Sequence, residues 1–230
     1  GRPLIWHIMK IYSQHGVNEF IICCGYLGYV IKEYFTNYFM HMSDISIDLS
    51  TNNLTVHKKN AEPWKITLVD TGKETLTGGR LKRVTEYLKS EEAFCLTYGD
   101  GLSNVNLEKL IKFHKKNKSI VTLTTIKPIP HFGKLVFKGN KVIKFLEKDQ
   151  TKESWINGGF FVCEKKIFNY LNKKKKIFEK DTLSILSKKK KLTAYKHKGF
   201  WYCMDTLRDK RHLNNLWFLK KAPWKIWKDE

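Results

Sequence analysis

Short apolar runs alternate with stretches of helical spacing along the first half of this chain. That alternation restricts the possible folds more than any other feature. Leu4, Ile8 and Ile11 fall on one face of a helix predicted over residues 3–14. Glu19–Cys24 is a buried strand ended by Gly25, and residues 29–39 return to helical spacing. Ala93–Thr97 is another apolar strand, stopped by Gly99-Asp100-Gly101. Asn106 is placed to cap a helix with Leu107, Leu110 and Ile111 inward, and Val121–Ile126 is a β-branched strand. Strands alternating with helices of this length imply a Rossmann-like α/β fold, with a mostly parallel sheet flanked by helices.

The remaining segments read as β-rich additions. Residues 45–49, 54–56 and 66–69 are predicted to be a small insertion of antiparallel strands around Asn52-Asn53. Residues 134–137 and 142–147 flank Gly139-Asn140, a strong hairpin signal. Residues 156–163, 193–195 and 200–203 are short strands, and 207–219 is a helix with Leu213, Leu216 and Trp217 inward. No internal repeat and no clean linker interrupt the chain. The expectation is therefore a single domain over 1–230, with an α/β part at 1–126 and a β-rich part with the last helix at 127–230. The aromatics of Ala222-Pro223-Trp224-Lys225-Ile226-Trp227 fit a subunit interface and a return onto their own domain equally well.

A formal charge of +21 raises the question of nucleic acid. Arg occurs only five times, so the charge is nearly all Lys, spread along the chain with runs at 173–176 and 188–191. Base readers lean on the planar fork of Arg, and scattered Lys fits solvated faces in a Lys-biased composition. No nucleic-acid partner is expected, although such a field would help collect phosphorylated substrates. No apolar run reaches the roughly 18 residues of a membrane span. The best attempt, residues 19–31, is cut by Gly25, Gly28 and tyrosines, so no membrane partner is expected either. The first ten residues read as an amphipathic helix and not as an apolar leader. Five cysteines in apolar stretches with no C-x-x-C pair fit reduced thiols in the cytoplasm.

Four places could carry chemistry. Asp100 follows a buried strand and sits between two glycines, where open α/β sheets bind ligands and a carboxylate can hold Mg²⁺. A plain Asp-Gly turn fits the same string. Asp205 also ends an apolar strand, immediately before a helix, and fits a helix N-cap as well as a second metal carboxylate. Gly78 and Gly79 open a helix whose bare N–H groups suit an anion or a nucleotide, with Arg80 ready to fork onto a base or phosphate. A glycine-started surface helix is the plainer account. Glu147-Lys148 and Asn157-Gly158-Gly159 stand at strand ends, where Glu and Asn suit sugar hydroxyls and Lys a phosphate. A surface ion pair and a β-turn are the plainer alternatives. Zinc spacing of histidines and a serine-hydrolase elbow are both missing.

The strings VDTGKETLTGGRLKRV, FCLTYGDGL, FLEK, WINGGFFV, FWYCMDTLRDKRHLNNLW and APWKIWK occur in this order. Together they closely resemble the glucose-1-phosphate cytidylyltransferase branch of the sugar-phosphate nucleotidyltransferases, over essentially the whole chain. The resemblance implies synthesis of CDP-glucose and pyrophosphate from CTP and α-D-glucose 1-phosphate, with Mg²⁺ as cofactor. By this likeness Asp100 and Asp205 are the Mg²⁺ carboxylates, and Thr75, Gly79, Arg80 and Gly99 meet the nucleotide. Glu147 meets sugar hydroxyls, catalytic Lys148 meets the sugar phosphate, and Asn157 and Gly158 line the sugar pocket. A homo-oligomer, in this branch a hexamer, is implied as well.

The family's Gly-rich loop, G-G-x-G-T-R-L, and the P-K-P-M that follows it do not occur in this sequence. The opening Gly1-Arg2-Pro3-Leu4-Ile5-Trp6-His7 is similar to the stretch just after that loop. The resemblance thus implies a fragment that lacks the first strand, the phosphate cradle, an Arg and a catalytic Lys, and that is poorly active alone. Three other readings make different predictions. A UDP-, dTDP- or GDP-sugar pyrophosphorylase prefers another nucleotide. A non-catalytic nucleotide-sugar-binding subunit binds product without releasing pyrophosphate. A basic RNA-binding module binds any polyanion with steep salt dependence.

Overall fold

The computed structural model describes residues 2–128, 134–146, 155–171 and 177–228. In chain order, helix α1 (Leu4–Ser13) leads into strand β1 (Glu19–Cys24), then α2 (Gly28–Thr36) and the single turn α3 (Tyr38–His41). Strands β2 (Ser43–Asp48), β3 (Asn53–Lys59) and β4 (Lys65–Asp70) precede α4 (Thr77–Arg83). Strands β5 (Ala93–Thr97) and β6 (Gly101–Ser103) come next, then α5 (Leu107–Asn117) and β7 (Val121–Ile126). The hairpin β8 (Lys134–Lys138) and β9 (Lys141–Leu146) is followed by the long strand β10 (Ile156–Glu164). A π-helical turn, Phe178–Leu183, runs into α6 (Ser184–Lys188), and β11 (Leu192–Lys196), β12 (Trp201–Cys203) and α7 (Leu207–Phe218) complete the chain.

The described residues fall into two compact units. One comprises Gly1–His15, Ala93–Glu164 and Lys190–Glu230. Its sheet runs β11-β7-β10-β5. Strand β11 lies parallel to β7, while β10 lies antiparallel to both β7 and β5, so this sheet is mixed where a mostly parallel one is predicted. Phe160, Phe161, Val162 and Cys163 of β10 are buried without alternation, as expected for a strand covered on both faces. Helix α5 packs against β7, β10 and β11, with Leu107 and Leu110 fully buried, each contributing about 1.5–3 kcal/mol by area. Its start is fixed as predicted, by Asn106, whose side chain accepts from Lys109 N–H at 2.8 Å.

The other unit comprises Gly16–Glu92 and Lys165–Lys189. Only β2 and β3 form the predicted antiparallel insertion, joined through Asn52 in the left-handed region (φ 53°). The third run is different. Strand β4 pairs parallel to β1, from Glu19 with Lys65 to Cys24 with Asp70. All four residues of Ile66-Thr67-Leu68-Val69 are partly buried, on both faces, which marks a sheet strand and not one side of a ribbon. The predicted helix over residues 29–39 is broken at Asn37 into α2 and α3.

In the first unit the C-terminal aromatics pack back onto α1. Trp224 is buried, stacked on Phe200 at 5.6 Å, and Trp227 meets Trp6 edge-on at 5.8 Å. His7 sits among them, 4.6 Å from Trp217 between ring centroids. Trp224 Nε1–H points at His7 Nδ1 over a long 3.5 Å, which requires a lone pair there. Burial, with a smaller push from the Arg2 charge, lowers the His7 imidazole to about 4. The unfolded chain then binds more protons than the folded one between that value and the ordinary 6.5. This stability is complete above the ordinary value and is lost as the pH falls through the interval. From about pH 7.5 to about pH 5 the loss is expected to be about 2 kcal/mol. Urea unfolding at the two pH values checks this, and the pH difference should shrink by that amount in His7→Phe.

Candidate active site

Asp100 and Asp205 come from distant stretches of sequence and meet through one short ribbon. Strands β6 and β12 pair antiparallel, with Trp201 opposite Ser103, Tyr202 opposite Leu102 and Cys203 opposite Gly101. One step further, Met204 N–H donates to the Asp100 carbonyl at 2.8 Å. The register therefore delivers both carboxylates to the same end of the ribbon. Asp205 does not cap α7. That task belongs to Thr206, which forms a reciprocal capping box with Asp209. The Asp205 carboxylate is thus left for other work, a distinction that position before a helix alone does not reveal.

One ligand atom from each of Asp100, Cys203 and Asp205 lies within 4.8 Å of the others. Burial pushes the Asp100 carboxyl above its ordinary range; its own backbone N–H opposes this and the Asp205 charge adds to the push. The Cys203 thiol is driven up to about 12 by burial and by the charges of Asp100 and Asp205. It donates to Asp205 Oδ1 at 3.3 Å. The donor set at neutral pH is accordingly two carboxylate oxygens beside a protonated thiol. Such a set suits a hard divalent cation, which would offset the charge of the two carboxylates.

Beside this pair, β10 opens on Asn157-Gly158-Gly159, where its register with β7 shifts between Asn157 and Phe161. Asn157 Oδ1 accepts from Gly159 N–H at 2.9 Å and so ties the irregular turn together. Gly159 has φ +76°, and a Cβ there would lie 2.9 Å from the Tyr98 ring, so glycine is needed twice over. Asn157 Nδ2 reaches Tyr98 Oη at 3.4 Å, and Trp201 Nε1–H donates to the Gly158 carbonyl at 2.7 Å. Tyr98 and Trp201 thus fasten the glycine turn to the segments that carry Asp100 and Asp205. Sequence reasoning missed both residues, although each stands within four positions of an aspartate already singled out. A Cβ added at Gly99 would meet nothing within 4 Å, so the backbone there is open to approach.

The other predicted nucleotide residues lie in the second unit. Gly78 and Gly79 are buried inside the first turn of α4, whose start at Leu76 carries no side-chain cap. Thr77 Oγ1 accepts from Phe178 N–H at 2.9 Å and donates to Glu179 at 3.0 Å, which holds that end of the helix against the π-helical turn. Thr75 N–H donates to the Gly72 carbonyl at 3.4 Å. Arg80 is already engaged: its guanidinium donates to the Cys24 carbonyl (3.1 Å), Thr71 Oγ1 (2.7 Å) and the Lys73 carbonyl (3.2 Å). Any Cβ at Gly25 would collide with it. Arg80 therefore shapes the loops that leave β1 and β4. Glu147 and Lys148 lie outside the described residues.

Among the described residues no helix is long and apolar enough to cross a membrane. The chain matches the nucleotidyl transferase family model over residues 1–229. It is 49% identical over 227 residues to glucose-1-phosphate cytidylyltransferase of Salmonella typhimurium, covering 99% of this chain and 88% of that protein. It is 41% identical to the probable glucose-1-phosphate cytidylyltransferase of Bacillus subtilis, covering 99% and 89%. Among solved structures, HddC from Yersinia pseudotuberculosis superposes with a TM-score of 0.64 at 19% identity, over 92% of this chain and 84% of that one. An apo UDP-glucose pyrophosphorylase gives 0.64 at 18%, over 96% and 88%. The predicted α/β class is thereby borne out, and with a family match over nearly every residue, this chain belongs to the nucleotidyl transferases.

Proposed function

We propose that this protein makes CDP-glucose and pyrophosphate from CTP and α-D-glucose 1-phosphate. The observation that carries the reading is the likeness to curated cytidylyltransferases along nearly the full chain, joined to a carboxylate pair of the right chemistry at a sheet end. A sugar-phosphate oxygen attacks the α-phosphorus in line, and pyrophosphate leaves. Asp100 and Asp205 would hold Mg²⁺, which when bound offsets phosphate charge during transfer. Asn157 and Gly158 present hydrogen-bonding groups to the sugar, joined by Glu147, while Lys148 pairs with its phosphate. Gly99 lets the nucleotide approach the backbone, and within the second unit Thr75, Gly79 and Arg80 are the family-implied nucleotide contacts. Little covalent work is left to the side chains, so positioning and charge carry the rate. Free thiols at all five cysteines support a cytoplasmic setting, and a homo-oligomer, hexameric as in this branch, is part of the same reading.

The test is pyrophosphate release with Mg²⁺ and glucose 1-phosphate across CTP, UTP, dTTP, ATP and GTP. It is run on this chain and on this chain joined to the Gly-rich loop of the resembled family. Release confined to CTP in either form is the expected result. Release with another nucleotide alone would replace the base assignment. Silence in both forms, with CDP-glucose still bound, would make the protein a binding subunit.

A further inference from the structure

Cys203 stands beside Asp100 and Asp205, and the family likeness gives it no role. The ribbon explains how it comes to be there. Its ladder continues past Cys203 through Met204 N–H and the Asp100 carbonyl, so residues 203 and 205 leave it on the same face. Gly101 lies opposite Cys203 and has no side chain to set against the sulfur. Cys203 is partly buried, while both carboxylates are exposed. Among the described residues no other three His, Cys, Asp or Glu side chains bring their ligand atoms this close together.

The spacing of these atoms decides which cations can use the sulfur. Cys203 Sγ lies 3.3 Å from Asp205 Oδ1. In a tetrahedral zinc site, metal–sulfur bonds of about 2.3 Å and metal–oxygen bonds of about 2.1 Å set such a pair ~3.6 Å apart. A shift of about 0.3 Å therefore turns this hydrogen bond into a chelate. Mg²⁺ has no use for the thiol, because it takes oxygen ligands in near-octahedral geometry and keeps several waters.

Thiolate sulfur selects softer cations than carboxylate oxygen does, and Zn²⁺ accepts both. The S–H proton passes to solvent as the metal–sulfur bond forms. Burial and the neighbouring carboxylates hold that proton on the free thiol. A dication between the carboxylates cancels the second of these causes, and a coordinated thiol gives up its proton outright.

We propose that Cys203 joins Asp100 and Asp205 in binding a thiophilic divalent cation of the Zn²⁺ class, in competition with the hard cation proposed above. The inference rests on the two aspartates being a metal pair, and it adds a sulfur ligand that the family likeness does not supply. Three protein ligands on a four-coordinate cation leave one position open, whereas a hard octahedral cation on two carboxylates keeps several. Zn²⁺ in this site therefore leaves less room for phosphate oxygens and acts as an inhibitor.

The experiment is calorimetric titration of the metal-free protein with Zn²⁺, Co²⁺ and Mn²⁺, with absorption spectra of the Co²⁺ form. It is repeated on Cys203→Ser, Cys203→Ala and Asp205→Asn. The unaltered protein is expected to bind one Zn²⁺, and its Co²⁺ form to show a near-ultraviolet sulfur-to-metal charge-transfer band. Both Cys203 variants should lose the band and weaken Zn²⁺ roughly a hundredfold, with Mn²⁺ affinity changed by less than about threefold. Asp205→Asn should weaken both cations. Unchanged Zn²⁺ affinity in the two Cys203 variants would overturn the proposal. So would a charge-transfer band that survives in them, which would put the cation on another thiol. An equal loss of Mn²⁺ in both variants would also overturn it, since the ribbon and not the sulfur would then be at stake. Zn²⁺ binding that depends on Cys203, in a protein that makes no CDP-glucose, would refute the proposed function and leave this inference standing.

Discussion

Replacing Asp100 by Asn is expected to lower metal-dependent CDP-glucose synthesis by roughly three orders of magnitude, in whichever form of the protein turns over CTP. Asn keeps the shape and removes the charge, so the ribbon of β6 and β12 should survive, because it is held by backbone hydrogen bonds. The thermal midpoint should stay level or rise slightly, since the desolvation of the Asp100 charge, with the smaller repulsion from Asp205, is removed. Two measurements check the point: initial rates over a Mg²⁺ titration, and Mn²⁺ binding followed by calorimetry. Wild-type metal affinity in Asp100→Asn would remove this residue from the metal role whatever the rate does. Asp205→Asn should behave alike in metal binding, because the helix cap rests on Thr206 and Asp209.

The largest expected effect on stability lies in the aromatic cluster of the first unit. Trp224→Ala should destabilise the protein by about 3–5 kcal/mol, the usual range for truncating a buried Trp. Trp224 is only 1% exposed and fills the space between His7, Phe200 and Trp217. Phe200 in turn offers its carbonyl to Ser103 Oγ at 2.9 Å and to Asn104 N–H at 3.2 Å, next to the carboxylate ribbon. Through Phe200, the substitution should therefore also loosen the Asp100–Asp205 pair. Urea denaturation measures the first effect, and weaker Mn²⁺ binding by the folded variant measures the second. Trp224→Phe should recover most of both.

Much of this was readable along the chain. The bounds of β1 and β5 follow directly from apolar runs that end at polar or glycine residues, and those of β7 from a run rich in β-branched residues. The Asn106 cap was equally legible, since its chemistry is local. The partner of β4 was not. The run from Ile66 to Val69 is β-forming in any sheet, and whether it pairs with β3 or β1 depends on a crossover whose energetics lie outside the segment. The carboxylate pair was half legible. Each aspartate stood at a strand end, but only the ribbon register shows that they meet. Arg80 illustrates the reverse case: its place beside two glycines suggested a ligand, and the structure shows three backbone and hydroxyl acceptors of its own chain. Those acceptors sit on Cys24, Thr71 and Lys73, and no local spacing rule points to them.

The first unit is assembled from three separated pieces: the opening fifteen residues, the middle of the chain and its last forty-one. Its α1 is closed by Trp224 and Trp227, and the ribbon strand β12 appears only after Lys190 has been made. On a ribosome adding about 5–20 residues per second, most of the chain is in solution before either closure can form. A nascent chain interrupted before Trp201 holds Asp100 without its partner and α1 with its apolar face bare. The carboxylate pair is thus a late product of synthesis, and a prematurely terminated chain lacks it as well as being exposed to chaperones and proteases.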